Sequence, residues 1–437
     1  MIAYICLGIA VALFFIVWHR AGGAAASFVV VVSAVCLPVI DLLTFGQATA
    51  NTAIAAPTIT LATYQLALLG GLLALPVQTV RNVPVLYWMF LAFVGVLAVA
   101  QGQTDAHTLS GVLHWGAAVL AWGVGAAVAQ SAAQSGLPTE RFIAIVAAFI
   151  VGWHALFVVL QLAGVRAVGT VEAGITELAR VSGAAGHSGN LGKIMLLLVM
   201  ILLPVTRSDD KAARRWAVVT VSSAAVLTAL TFSRANTVAI GILIGTWLVL
   251  GPGIRFSKRV AVILVAIIVA IPIVDILILR SQYDPDGGSR PRLMAAAIEQ
   301  ISQTLWLGVG PNNYLEVVGR FDSLAAGGLP VHSAFLLALA ELGLICCILL
   351  GIPLILLMTQ SLRNLPGSSP AKSYAIALVA ATPGILIVAG TGWGILRGQF
   401  LVLLFFALGY MGAAQKYRRL HFETFAHRTA NRLVANG

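Results

Sequence analysis

Apolar residues in this chain fall in long, nearly unbroken runs, and the polar residues collect in the short segments between them. A membrane-crossing helix needs about 20 mostly apolar residues. Runs of that kind cover 2–18, 25–44, 60–79, 84–101, 110–131, 143–164, 190–206, 216–232, 237–253, 259–279, 334–359, 373–390 and 398–414. None alternates with the period of two that an outer-membrane barrel strand requires. The pattern therefore predicts an all-α, polytopic membrane protein. The first three runs are the least well defined, which leaves the count at 12 or 13 helices. One transmembrane domain is expected over 1–437, with 280–333 as a long loop within it.

That loop is too long to be structureless in a compact protein. Within it "SRPRLMAAAIEQISQTLW" (289–306) reads as an amphipathic helix. Leu293, Met294, Ala297, Ile298, Ile301 and Leu305 share one face, and Pro291 suits a first helical position. The helix is expected to lie flat on the outer leaflet. No repeat of 20–50 residues is visible along the chain.

Composition sharpens the class. Hydrophobic residues make up 60% and charged residues only 9% of 437, against about 25% charged in soluble domains. A net charge of +11 is common in nucleic-acid binders, but the basic residues here are scattered between the spans. Topology signals facing an anionic inner leaflet account for them better. With the N-terminus outside, 17 of the 26 Lys/Arg fall on one side, led by "RSDDKAARR" (207–215) and "KYRRLHFETFAHR" (416–428). That side is expected to be cytoplasmic. The start "MIAYICLGIAVALFFIVWHR" lacks a basic n-region and reads as an uncleaved first span. Cys6, Cys36, Cys346 and Cys347 all sit in apolar runs without ligand spacing, so neither a disulfide framework nor a zinc site is expected.

Four stretches on the opposite side carry candidate chemistry: "ARVSGAAGHSGN" (179–190), "TFSRANT" (231–237), "GGSRPR" (287–292) and "VHSAF" (331–335). Arg234 is the most informative residue. It stands in the whole connection between two apolar runs with no acidic neighbour, and a guanidinium near the membrane is costly without a partner. Its planar fork suits phosphate oxygens; a lone arginine snorkelling to headgroups is the competing account. Arg180 and Arg290 on the same face weigh against that account, while Arg292 and Arg320 read as surface charges. His332 has an ordinary pKa of about 6.5, so its ring can take a proton from a hydroxyl near neutrality. A helix-cap histidine is the alternative. Glu341 lies nine residues on, about 13.5 Å along a helix, too far to orient that ring. Glu341, Asp41, Lys193 and Asp275 read as packing groups within apolar runs. "GVGPNNYL" (308–315) offers Asn312, Asn313 and Tyr314 to sugar hydroxyls, although turns use such residues for their own geometry. "GHSG" (186–189) also permits a Ser188/His332 dyad of the intramembrane-protease kind, on a signal only four residues long.

Taken in order, these stretches resemble the O-antigen ligase and polymerase superfamily. "RVSGAAGHSGNLG" (180–192) is similar to its Arg-x-x-Gly turn and Asn-containing helix start. "LTFSRANTVAIGI" (230–242) resembles its Thr-x-Ser-Arg hairpin. "SRPRLMAAAIEQISQTLWLGVGPNNYL" (289–315) resembles its Arg-led amphipathic helix ending in Gly-x-Gly, and "HSAFLLALAELGL" (332–344) its His-led helix. The third motif has Met294 where an aromatic is usual, and Arg290 and Arg292 both offer themselves as its arginine; spacing back from "GVGP" favours Arg290. Ser333 follows the histidine where asparagine is common.

The resemblance implies a GT-C-type glycosyltransferase of the bacterial inner membrane with its site facing the periplasm. It would move a glycan from undecaprenyl diphosphate to an acceptor glycan, lipid A core or a growing polysaccharide, without metal or cofactor and with inversion. Arg234 and Arg290 would hold the diphosphate, Arg180 would add an anion contact, and His332 would be the base. Polymerase and ligase remain open, as does a transporter or flippase of a lipid-linked oligosaccharide. The other partners implied are membrane lipids; nucleic acid is not.

Overall fold

A computed structural model describes residues 2–48, 50–102, 105–135, 139–165, 180–251, 288–366 and 371–435. The chain is mainly helical: α1 (Ile2–Cys36), α2 (Thr63–Ala74), α3 (Pro76–Asn82), α4 (Val85–Ala100), α5 (Ala106–Ser135), α6 (Thr139–Leu162), α7 (Ser188–Val205), α8 (Lys211–Leu230), α9 (Arg234–Leu250), α10 (Arg290–Thr304), α11 (Tyr314–Val318), α12 (Ser323–Ala326), α13 (Ala334–Arg363), α14 (Ala371–Thr391) and α15 (Gly398–Ala435). Six of these, α5, α6, α7, α13, α14 and α15, are long and apolar enough to cross a membrane. With them goes a polytopic membrane protein. The expected run 259–279 and Asp275 lie outside the described residues.

The first third of the chain corrects the hydropathy reading. The run expected over 25–44 stops as a helix at Cys36, ahead of Pro38, which cannot continue the ladder. Asp41–Phe45 (β1) then pairs antiparallel with Ile59–Ala62 (β2), a hairpin that departs from the expected all-α chain. Asp41 is exposed there rather than a packing group. The run expected over 60–79 becomes β2, α2 and α3, with α2 and α3 bent by 104° at Pro76. Gly22 breaks α1 in the same way, with φ 84 and ψ 167.

Outer helices keep an apolar stripe facing outward. On α4, Val85, Met89, Val96 and Val99 are exposed while Tyr87, Phe90, Val94 and Ala98 are buried. A helix that is hydrophobic all round suits a lipid surround. α7 runs through the middle, buried from Leu191 to Val205 without interruption. Helices α5 and α15 cross at Gly125 and Gly409, where a Cβ would lie 2.2 Å from the Phe406 and Trp122 carbonyl oxygens respectively. Small residues of this kind let membrane helices approach closely.

Side-chain bonds separate two ends of the bundle. At one end Arg141 pairs with Asp210 at 2.9 Å, Arg418 with Glu140, and the Tyr417 hydroxyl donates to Asn82 at 3.2 Å. The segments 80–83, 132–142, 207–215 and 415–420, expected on one side, thus meet. At the other end the segments 51–56, 308–314 and 393–398 are bonded together and to the first turn of α5: Ala55 N donates to Asn312 Oδ1 at 3.1 Å, Asn312 Nδ2 to the His107 carbonyl at 3.0 Å, and Gly398 N to the Ile54 carbonyl at 3.1 Å.

Candidate active site

The candidate residues stand at helix starts. The turn before α7 is pinned to α6 by Gln161, whose Oε1 accepts from Ser182 N and Gly183 N, both at 3.0 Å. His187 caps α7, its Nδ1 accepting from Gly189 N at 2.9 Å. Arg180 opens this turn, and its Nε reaches the Thr231 carbonyl at 3.4 Å. Thr231 begins the reversal into α9, in which Phe232 takes φ 50, a left-handed conformation uncommon for a bulky residue. Asn236 joins the two helix starts, donating to the Gly189 carbonyl at 3.1 Å and to Ser233 Oγ at 3.0 Å. The approach is close because residue 192 is glycine: a Cβ there would lie 2.4 Å from Asn236 Nδ2. Arg234, the first residue of α9, is half-buried beside Arg180's turn.

His332 and Arg290 are near enough for the guanidinium charge to act on the imidazole. Arg290 starts α10 as an exposed side chain, and His332 is half-buried two residues before α13. Burial lowers the imidazole pKa below its ordinary 6.5, and the Arg290 guanidinium lowers it further; the Pro330 carbonyl opposes both. The ring is therefore neutral at pH 7, and its buried Nδ1 has no hydrogen-bond partner. No hydrogen bond joins His332 to Ser188, which is fully buried in the first turn of α7, so the dyad geometry is not formed.

Acidic partners are spent elsewhere. Among the described residues the ion pairs engage Arg141, Arg292, Arg320 and Arg418, and His107 Nε2 lies 3.2 Å from the Glu316 carboxylate. Arg292 pairs with Asp322 at 2.8 Å, which leaves Arg290 as the uncommitted arginine of its motif. Arg234 and Arg290 have no ion pair among these residues. Nor does a hydrogen bond or ion pair join Arg234 to Arg290 or His332.

The turn after α10 has a different role from the one its sequence suggested. α13 breaks at Gly343, with φ 72 and ψ 173. The 305–310 segment lies in the break. Val309 N donates to the Ala340 carbonyl at 3.0 Å, Gly310 N to that of Glu341 at 2.9 Å, and Leu344 N to that of Leu305 at 2.8 Å. The Glu341 carboxylate accepts from Asn312 N at 2.7 Å, which identifies the partner its position demanded. Asn312 uses both ends of its amide on Ala55, Ala56 and His107. Asn313 Oδ1 lies 2.6 Å from His107 Nε2, and Tyr314 is fully buried. Asn312, Asn313 and Tyr314, read from sequence as sugar contacts, are packing groups here: their polar atoms face protein, not an open cleft.

The six residues expected on one face of α10 divide: Leu293, Ala297 and Ile301 are buried against the protein, while Met294, Ile298 and Leu305 are exposed. Two groups at this end were missed. Lys193, read as a packing group, donates to Asn190 Oδ1 at 3.0 Å and lies against Gly394 of the α14–α15 loop, near enough to Arg397 for the two charges to repel. The only sequence signal for Arg397 was its place in a loop on the same side.

Comparison with curated proteins gives no significant match. A family model described as O-antigen ligase matches residues 216–351, which include Arg234, Arg290, His332 and the 308–314 turn. Over that stretch the match supports the resemblance to the O-antigen ligase and polymerase superfamily.

Proposed function

We propose that the protein transfers a glycan from undecaprenyl diphosphate to an acceptor glycan such as lipid A core, at the periplasmic face of the bacterial inner membrane. The match of residues 216–351 to the O-antigen ligase family model supports an activity of the O-antigen ligase or polymerase type. The observation that carries the finer reading is the pair at the head of α10 and α13: a neutral imidazole beside an arginine that no carboxylate claims. Arg234, also unclaimed, stands at the same end of the bundle. The chain would form one transmembrane domain, with 280–333 over the site and the Arg141/Arg418 end in the cytoplasm, in line with the positive-inside bias.

The chemistry is a displacement at the anomeric carbon. The acceptor hydroxyl attacks C1 from the face opposite the diphosphate. Its oxygen forms the new C1–O bond as the old one breaks, and the electron pair leaves with the diphosphate. The hydroxyl proton goes to His332, whose neutrality at pH 7 fits a general base. Arg234 and Arg290 hold the departing charge, with Arg180 as a further contact. Fixed guanidinium forks stabilise charge that develops in the transition state at no reorganisation cost. The anomeric centre inverts. The arginines themselves supply the cationic charge that the leaving group needs.

Reconstitution with lipid-linked glycan and two acceptors, lipid A core and a second lipid-linked repeat, tests the reading and separates ligase from polymerase. His332→Ala should abolish product while retaining carrier binding. Full turnover in that variant removes the base. Movement of lipid-linked glycan across the bilayer without any glycoconjugate product would instead establish a flippase.

A further inference from the structure

Lys193 and Arg397 form the second concentration of charge at the site end, and nothing in the reading above uses them. Lys193 lies one turn into α7, 8% exposed. Its ammonium donates to Asn190, sits 4.9 Å from the centre of the Phe400 ring, and faces Gly394 so closely that a Cβ there would lie 2.5 Å from Nζ. Arg397, three residues further along that loop, is exposed and stacks near Trp393, Cζ to ring centre 5.8 Å. The two cations are near enough to repel one another. Neither has an ion pair among the described residues. A buried ammonium with a second cation nearby and no counter-ion is a costly arrangement that a bound anion offsets. The position fits: Asn190, which holds Lys193, is the neighbour of Gly189, and Gly189 receives the Asn236 bond that links α7 to the start of α9. Lys193 and Arg234 thus belong to the two helices whose starts are joined at this junction.

We propose that Lys193 and Arg397 hold a phosphate group of the lipid-linked substrate, as a second anion subsite next to Arg234. This rests on the reading that the substrate is a lipid diphosphate. The glycine at 394 lets the loop backbone close against the ammonium, so the subsite needs a lysine, a glycine and an arginine in register.

The test measures undecaprenyl diphosphate binding to the whole protein in phosphatidylcholine nanodiscs, with phosphatidylglycerol added as competitor in a second arm. Lys193→Gln and Arg397→Gln should each weaken binding about tenfold or more, the scale of one lost charge-assisted contact. Gly394→Ala, which displaces the ammonium without removing it, should weaken it in the same direction. Arg397 is exposed, so its variant answers the question even if Lys193→Gln does not fold. Wild-type affinity in Arg397→Gln and Gly394→Ala overturns the inference, while His332-dependent turnover would leave the proposed reaction standing. Displacement of the carrier by phosphatidylglycerol in the wild type but not in Arg397→Gln also overturns it, because the cations would then serve headgroups. Failure of the wild type to bind the carrier at all ends both readings.

Discussion

Replacing Gly343 by alanine is the most direct perturbation of the scaffold that carries the site. The glycine occupies φ 72 and ψ 173, a region essentially restricted to glycine, where another residue costs about 1–3 kcal/mol. The added methyl has no room: an ideal Cβ would lie 2.5 Å from Leu307 C and Trp306 O and 2.6 Å from Gly308 N. These are backbone atoms, so the whole 306–308 segment must retreat. If it does, four bonds across the break go with it: Val309 N to Ala340 O, Gly310 N to Glu341 O, Leu344 N to Leu305 O and Ile345 N to Trp306 O. At a net ~0.5–1.5 kcal/mol each they contribute roughly 2–6 kcal/mol. Straightening α13 would relieve the backbone strain but not spare those bonds. Either route predicts a loss of about 3 kcal/mol or more. Gly351→Ala in the same helix is the control, because a Cβ there meets nothing within 4 Å. It should be neutral, or stabilising by up to ~1 kcal/mol. Thermal unfolding in detergent and hydrogen exchange at residues 309, 310 and 344 read the effect. If Gly343→Ala melts with the wild type and those amides stay protected, the inserted segment is not a structural clamp.

Other outcomes follow from the same geometry. The His332 pKa lies below 6.5, so turnover should hold at pH 7 and fall as acid protonates the ring. Arg290→Gln removes one of the two lowering influences and should move that acid limb upward, a shift that a pH–rate profile would read; an unmoved limb separates Arg290 from the ring. Asn312→Ala strips buried hydrogen bonds from Ala55, Ala56 and His107 at a left-handed residue of φ 68. It should cost about 2–4 kcal/mol in unfolding experiments, whereas a raised acceptor KM at unchanged stability would restore a sugar-binding role. Gly192→Ala places a methyl 2.4 Å from Asn236 Nδ2 and should spread α7 from α9. Turnover should then drop more than tenfold, the sensitivity expected of a misplaced site; wild-type kinetics would show that the junction does not position Arg234.

Several features were legible in the chain alone. The apolar runs gave most helices, because a span must satisfy its own backbone and therefore writes about 20 apolar residues in a row. The distribution of Lys and Arg sorted the loops into two sets, and the Arg141–Asp210 and Arg418–Glu140 pairs join members of one set. Arg234 stood out because a tight turn without an acid leaves a guanidinium unexplained. Tertiary structure alone decided the rest. Pro76 and the 41–62 hairpin divide runs that hydropathy joined, since apolar composition does not distinguish a bent or extended segment from a straight helix. Asn312 reads the same in an exposed turn as in a buried one; only the fold shows that Glu341 and His107 surround it. Lys193 and Arg397 meet because α7 and the α14–α15 loop end at one level of the bundle, and sequence distance carries no record of that. Hydrophobic pattern is local and survives in one dimension, whereas the pairing of isolated polar groups depends on which helices become neighbours, and that is settled by packing.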